Sequence, residues 1–487
     1  MKKITILICI ILTMGMSYGQ NRNNAKYIRW NVNTPQGLAN LEAMNVAFKK
    51  MREAGCEKGI SWYYQGAIHS VPKEITGPNK LCPQYQTIND KLWAWADCTH
   101  NGTPNAKLHF LLWHRFYIWH LEKIIRDLSG KADFALPYWN YGSKAVSQNV
   151  MAEPLRVQSG SLYTAARYSI LNNGKPILPS QVNQIQLALE ELKTNPSFTG
   201  DAGFSRSLEG APHGYMHNLI GGGYADPSET YYNEIYQKVT SGLMANVESA
   251  GFDPVFWLHH SMVDRIWDSW DVSIYGQRPT LEQLKADPWQ YQFINPDGSR
   301  VTYTMEEVYN TVYNLDYKYD DLLYGSKTPV VAANEAAKAK ISFQDSKEEV
   351  IWEQKVSKVL GTSAFTHKVS NTFAKNTNRV FKTANSKIIL NLDVVVYKEP
   401  KDYYTVYLRY PGKKDQYVGT MTFFGVAHDH GTGDSHEIGS DGVKLNYSYY
   451  ISDDLINSDS SYDIIIKKVG GGDAKVTLEK ISVIKAN

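Results

Sequence analysis

Cysteine is scarce in this chain, four in 487 residues. A small scaffold stapled by disulfides is therefore excluded. One of the four, Cys9, falls within the first twenty residues, which leaves Cys56, Cys82 and Cys98 beyond them. Three is odd, so at least one lies outside any internal disulfide. An excess of charge is also missing: Lys and Arg total 51, Asp and Glu 49. Such a balance gives no signature of nucleic acid or an anionic membrane as partner. There is no internal repeat, which argues against a solenoid or a propeller. Beyond the N-terminus no run is long and apolar enough to cross a bilayer. At the N-terminus two lysines precede an apolar stretch from Ile4 to Met16, closed by Ser17 to Gln20. Residues 1–20 read as a secretory signal peptide, too short in its apolar part to span a membrane. Cys9 has no small residue before it and does not suggest a lipoprotein signal. The expectation is a secreted or periplasmic protein, off the membrane after cleavage, in a compartment where disulfides form.

What is abundant is aromatic and apolar: 33 tyrosines, 12 tryptophans and 43% hydrophobic residues, enough for one large core and a second domain. From residue 21 to 325 the apolar spacing is helical. The stretch 106–128, "AKLHFLLWHRFYIWHLEKIIRDL", is apolar nearly all round until its charged end, as a buried helix is. Asp253 followed by Pro254 is an N-cap and first-turn pair, which predicts a helix carrying "VFWLHHSMVDRIW". Residues 326–377 turn small, charged and polar and read as a linker. From 378 to 487 the period becomes two, with turn residues between β-branched runs. The fold class expected is a mainly α catalytic domain, a buried helical bundle, followed by a small antiparallel β-sandwich.

Thirteen histidines are present, and they cluster: one group runs from 69 to 120, a second from 213 to 260. His213 and His217 are four apart and share a helix face, with Pro212 suited to the first turn. Gly214 stands where a zinc protease needs its glutamate, so this is not that motif. Either His259 or His260 could supply a third nitrogen, but not both equally, since neighbouring helical positions point about 100° apart. In the first group His114 sits inside the apolar helix, His109 and His120 point elsewhere round it, and His69 and His100 are free to approach. Two three-imidazole sites with no thiolate or carboxylate at ligand spacing favour copper, with zinc or buried structural histidines as the plainer readings.

The residues that carry this pattern also carry a resemblance. "HFLLWHRFYIWHLE" (109–122) resembles the first copper motif, and "FDPVFWLHHSMVDRIW" the second, of the tyrosinase, catechol oxidase and hemocyanin superfamily. "LPYWNY" (136–141) and the Tyr-x-Tyr of "DYKYDD" (316–321) resemble further elements of it. The last domain, with "FFGVAHDHG", resembles the C-terminal β domain of plant-type polyphenol oxidases.

The resemblance implies a coupled pair of copper ions, copper A held by His69, His100 and His114 and copper B by His213, His217 and His260. His259 becomes a buried neighbour, and Phe256 covers the His260 ligand. The spacing from His100 to His114 is wider than the family's usual one, which leaves His109 as a rival. "CTH" (98–100) resembles a Cys-x-His pattern in which the cysteine is joined to the ligand histidine by a thioether. That implies a Cys98–His100 cross-link and a Cys56–Cys82 disulfide. Glu209 matches an acidic residue that holds a catalytic water. Val247 matches a gate position over copper A, and Gly214 and Asn218 match substrate-orienting positions. Asp264 and Arg265 read as a structural ion pair. Met262 stands where the family usually has Asn.

The implied activity is oxidation of o-diphenols to o-quinones with O2 as co-substrate, monophenols forming a second substrate class. An o-aminophenol oxidase on the same centre and a hemocyanin-like oxygen carrier are the alternatives. Small phenols are the partners expected, and the oligomeric state is open. The C-terminal domain is expected to lie over the copper entrance and hold the enzyme latent. His428, His430 and His436 in that domain read either as a solvated loop or as ligands for copper in transit.

Overall fold

The computed structural model describes residues 25–324, 348–369, 387–426, 442–451 and 461–486, apart from 84, 86–91, 93–95, 97, 101–105 and 223–228. Residues 1–20, expected to be a signal peptide, much of the expected linker, and His428, His430 and His436 lie outside the described residues.

The first domain is helical. Its elements include α1 (Pro35–Glu53), α2 (Trp62–His69), α3 (Ala106–Ser129), α4 (Ser169–Asn172), α5 (Pro179–Lys193), α6 (Phe204–Leu208), α7 (Tyr215–Ile220), α8 (Val247–Ala250), α9 (Pro254–Asp271), α10 (Leu281–Ala286) and α11 (Met305–Thr311). Local chemistry starts them. Thr34 accepts from the Gly37 N–H at the head of α1, and Ser61 accepts from Tyr64 at the head of α2. Asp253 accepts from Val255 N, and Pro254 fills the first position of α9. Every residue of α9 is buried, and α9 packs against α3 and α5.

Short strand pairs close the domain. β1 (Tyr27–Arg29) runs parallel to β6 (Tyr317–Tyr319), tying its two ends together. Two hairpins, β2–β3 (Tyr231–Asn233, Lys238–Thr240) and β4–β5 (Tyr291–Ile294, Arg300–Tyr303), lie between them. Beneath β1 and β6 sits a buried charge network. Asp264 on α9 accepts from Arg29 Nη1 (2.8 Å), Arg115 Nε (2.5 Å), Tyr317 Oη (2.6 Å) and Tyr319 Oη (2.6 Å). Arg29 Nε donates to Glu122 at 2.8 Å. Arg265 turns the other way, toward the Asp321 carbonyl (2.8 Å) and carboxylate (3.3 Å). The expected Asp264–Arg265 pair is thus corrected: the two are adjacent on a helix and face different partners.

The second domain is a sandwich of two antiparallel four-stranded sheets, ordered β11-β10-β13-β8 and β12-β9-β14-β7. The strands are β7 (Glu348–Leu360), β8 (Phe365–Val369), β9 (Lys387–Val396), β10 (Tyr403–Arg409), β11 (Gln416–Met421), β12 (Val443–Ile451), β13 (Tyr462–Val469) and β14 (Val476–Ala486). Leu392, Val394, Leu478 and Val483 of one sheet meet Val406, Leu408, Ile464 and Ile466 of the other in one core. The boundary expected at residue 378 is corrected: β7 and β8 fall inside the stretch taken for a linker. Each is the end strand of its sheet, β7 on β14 and β8 on β13.

The sandwich is docked on the helical domain through β11. Gln184 of α5 donates to Thr420 Oγ1 (2.7 Å), and Thr422 Oγ1 donates to the Gly210 carbonyl (2.8 Å). Ser197 and Tyr450 share a hydrogen bond of 2.9 Å, and Tyr403 meets the Tyr215 ring edge-on at 4.9 Å. Among the described residues no helix is long and apolar enough to cross a membrane.

Candidate metal centre

His69 is the last residue of α2, His114 lies within α3, His217 in α7 and His260 in α9. His213 follows a break in the helix at Ala211 (φ −147°, ψ 131°), after which Pro212 opens a new helical run. His100 comes from the irregular chain before α3. All six are buried.

Four of these rings are anchored from behind by main-chain carbonyls. Nδ1 of His69 meets Val247 O (2.9 Å), and Nδ1 of His114 meets Phe110 O (2.8 Å). Nδ1 of His213 meets Glu209 O (3.0 Å), and Nδ1 of His217 meets Met244 O (3.0 Å). A carbonyl only accepts, so each Nδ1 carries the proton and each Nε2 presents a bare lone pair. These lone pairs converge. His69 Nε2 lies 3.4 Å from His114 Nε2 and 3.1 Å from His100 Nε2. On the other side the His213 and His217 rings are 4.5 Å apart, and His213 and His260 5.1 Å. The two trios abut: His114 stacks on His260 at 4.2 Å and 4°, and His100 on His213 at 5.3 Å and 18°.

The arrangement fits metal ions and little else. The His69 and His114 nitrogens face each other lone pair to lone pair, which is repulsive without a cation between them. A tetrahedral ion at about 2.0 Å from each ligand sets nitrogens roughly 3.3 Å apart. His213 Nε2, His217 Nε2 and both ring nitrogens of His260 are buried without a hydrogen-bond partner. Each orphaned polar atom costs about 1–3 kcal/mol in a dry interior, a cost that coordination removes. Burial, and after it the neighbouring imidazoles, push His100, His114, His213, His217 and His260 well below the usual histidine pKa. They are neutral ligands at neutral pH. An all-imidazole donor set suits copper or zinc rather than calcium or magnesium.

The other histidines divide. His109 is held by Tyr291 Oη (2.9 Å) and Asp287 O (2.5 Å), away from the cluster. His120 bonds Tyr303 Oη (3.0 Å) and Ile294 O (3.3 Å). The structure therefore brings His100, not His109, to His69 and His114. His259 is closer to the centre than a mere neighbour: it can present a nitrogen within 4.8 Å of those of His213, His217 and His260. Its Nδ1 is engaged by Tyr141 Oη at 3.2 Å.

Around the imidazoles, Glu209 is buried, with one carboxylate oxygen 2.8 Å from Arg206 Nη1 and the other 3.7 Å from His100 Nδ1. Phe256 lies 4.3 Å from the His260 ring and 4.8 Å from the His69 ring. Val247 is buried in the main core and contributes its carbonyl to His69. Asn218 Nδ2 donates to the Gly214 carbonyl at 3.3 Å. Met262 offers its sulfur to Arg265 at 3.6 Å. Cys56 and Cys82 form a disulfide. Cys98 stays outside it, buried, in one potential ligand group with His69 and His100.

One residue went unseen in the sequence. Phe424, just past β11 in the sandwich, stacks on His217 at 4.0 Å and 18°. It also lies 5.7 Å from the His213 ring and 5.4 Å from the His100 ring. In the sequence "FFG" reads as the end of one more strand-like stretch, and only the docking of the two domains gives Phe424 a place at the centre.

The model of the common central domain of tyrosinase matches residues 60–177 and 158–273, which span all six converging histidines. Residues 60–273 therefore form a tyrosinase-family domain. Tyrosinase HcTyr1 of Hahella sp. (strain CCB-MM4) is 28% identical over 292 residues, 56% of this chain and 59% of the relative. Catechol oxidase B of Solanum tuberosum is 28% identical over 227 residues, 42% of this chain and 37% of the relative. The alignments thus span little more than half, or less, of these curated relatives. The structure of latent apple tyrosinase shares the fold over 95% of this chain and 97% of its own, with a TM-score of 0.61 and 19% identity. Latent aurone synthase does so over 94% and 89%, with a TM-score of 0.60 and 16% identity. Both comparisons span the helical domain and the β-sandwich together.

Proposed function

We propose that this chain is an exported copper oxidase that converts o-diphenols to o-quinones. Two catechols and one O2 give two quinones and two waters. The observation that carries the reading is the convergence of six buried imidazoles in two abutting trios, four of them anchored through Nδ1. Bound there, a coupled copper pair supplies the redox capacity that passes electrons from the phenol to O2. The chain's own residues supply the rest. The carbonyls of Phe110, Glu209, Met244 and Val247 fix tautomer and ring direction before any ion arrives. Phe110 and Phe256 wall the cluster and exclude water. Glu209, oriented by Arg206 beside His100, holds the water that takes the proton of a phenolic hydroxyl. Cys98 is the partner of His100 in a thioether, whose formation removes two hydrogens and passes two electrons to O2. The disulfide and the apolar N-terminus support export.

Phe424 supports a latent resting state. Its ring stacks on His217, against the face a flat phenol would use. The strap after β11 has to leave before substrate enters. The test is metal analysis together with O2 uptake on catechol, before and after proteolysis between the domains. Two coppers per chain, quinone formation and a rise on cleavage are expected. One ion per chain, or O2 bound with no quinone formed before or after cleavage, overturns the oxidase. Equal activity before and after cleavage overturns latency.

A further inference from the structure

Gly214 follows His213 directly. Its backbone is ordinary right-handed helix, φ −61° and ψ −31°, which any residue adopts. Glycine is among the poorest helix formers, so local conformation gives no reason for it. Space does. A Cβ at 214 would stand 3.1 Å from Thr422 Oγ1, 3.3 Å from Phe424 Cβ and 3.3 Å from the Glu209 carbonyl. Two of these three walls belong to the β domain. Neither can give easily. The Thr422 hydroxyl donates to the Gly210 carbonyl at 2.8 Å, and the Thr422 carbonyl accepts from Tyr447 Oη. The Phe424 Cβ is fixed by its backbone and by the ring stacked on His217. A side chain at 214 and the seated strap compete for one space, beside the first histidine of the second trio.

We propose that Gly214 is the seat of the strap: its missing side chain is the room that Thr422 and Phe424 occupy. The residue that orients substrate beside His213 thereby also sets how firmly the β domain closes the site. A side chain there would guide a phenol but would press on Thr422 and Phe424 and so weaken the closed form. The inference rests on the latent-oxidase reading and adds the position that controls it.

The test uses the full chain with Gly214→Ala and Gly214→Val. Catechol oxidation is measured before and after proteolytic removal of the β domain. The ratio of intact to cleaved activity cancels any effect of the substitution on the exposed centre. Gly214→Ala should shift the closed-to-open balance roughly 5- to 150-fold, the range overpacking produces, and Gly214→Val further. The rate of protease cleavage between the domains, followed on metal-free protein, should rise in parallel. In a Thr422→Ala background, where one wall is gone, the effect of Gly214→Ala should shrink. If the wild-type chain is already fully active intact, latency fails and this inference with it. If the wild type is latent and both variants keep its activity ratio and cleavage rate, this inference alone fails. The alanine variant adds one methyl group, so it serves even if the valine variant does not fold.

Discussion

Replacing Asp264 by asparagine keeps the shape of the network under β1 and β6 and removes its charge. Asp264 is buried and takes contacts from Arg29, Arg115, Tyr317 and Tyr319 at 2.8, 2.5, 2.6 and 2.6 Å. Burial alone would push its carboxyl pKa up; Arg115 and Arg29 more than offset that and hold it below the usual range. After Asp264→Asn, Arg29 keeps Glu122, but Arg115 keeps only a distant carboxylate, Asp268 at 3.8 Å, and the neutral Val312 carbonyl at 3.3 Å. A buried cation left without its partner costs about 3–5 kcal/mol. Total stability is about 5–15 kcal/mol, so the loss is a large share of it. The assay is denaturant unfolding of metal-free protein followed by tryptophan fluorescence. Eleven of the twelve tryptophans lie before residue 325, so the signal reports the helical domain. Trp267 itself stacks under Arg115 at 3.6 Å. The control is Asp321→Asn, which breaks the Arg265 pair at a carboxylate that is 76% exposed. That change should cost less than about 1 kcal/mol. If Asp264→Asn costs no more than Asp321→Asn, the network does not hold the domain together and the reasoning is wrong.

Other outcomes follow from the same geometry. His100→Gln should lower the metal bound per chain, whereas His109→Gln should leave it unchanged and cost about 1–3 kcal/mol through the orphaned Tyr291 hydroxyl; equal metal loss in both would contradict the assignment. Removing the Cys56–Cys82 bridge, which closes a separation of 26 residues, should cost about 3.5 kcal/mol by chain entropy; unfolding of Cys56→Ala/Cys82→Ala protein measures it. Burial, and then Lys123, hold the His120 pKa down at about 3. The folded protein therefore refuses a proton that the unfolded chain takes up near pH 6.5. Stability from this residue is complete above that pH and falls by about 1.4 kcal/mol per unit below it. His120→Gln should flatten the pH dependence of stability between pH 6.5 and 5 by one proton's worth, and an unchanged slope would show that His120 titrates normally.

Where a signal is local, the sequence carried it. Asp253 and Pro254 mark the start of α9 because capping needs only neighbours. The spacing of His213 and His217 marked one pair because helix geometry fixes which residues share a face, whereas the choice of His100 and His260 came from the resemblance. Nonlocal chemistry was hidden. Asp264 finds Arg29 235 residues away, and nothing near either residue points to the other. The strands β7 and β8 were read as linker because "EEVIWEQKVSKVL" is charged and largely exposed. Edge strands carry such charges to discourage pairing with other chains, so the signal for an edge resembles the signal for a loop. Glu209 and Gly214 were named from resemblance, but the contacts that give them meaning come from Arg206 on α6 and from the strap of the other domain.

The anchoring carbonyls also explain why the two trios keep one geometry. Met244 O holds His217, and Val247 O, three residues on, holds His69. One short segment thus orients an imidazole of each trio. It is fixed in turn: the Ser249 hydroxyl donates to Leu243 O, and Trp62 Nε1, at the head of α2, donates to Phe252 O. α2 and the 243–252 segment therefore hold each other, and α2 ends in the histidine that the segment orients. A shift of that segment moves both trios together and keeps their relative placement. The coupled copper pair proposed above would need this property more than rigidity of either site alone, because both ions would have to reach the same O2. Phe424 meets His217, His213 and His100 by their rings, whereas Met244 O and Val247 O hold His217 and His69 at Nδ1. Under the proposed latency the strap's departure would therefore leave the segment that sets the spacing in place.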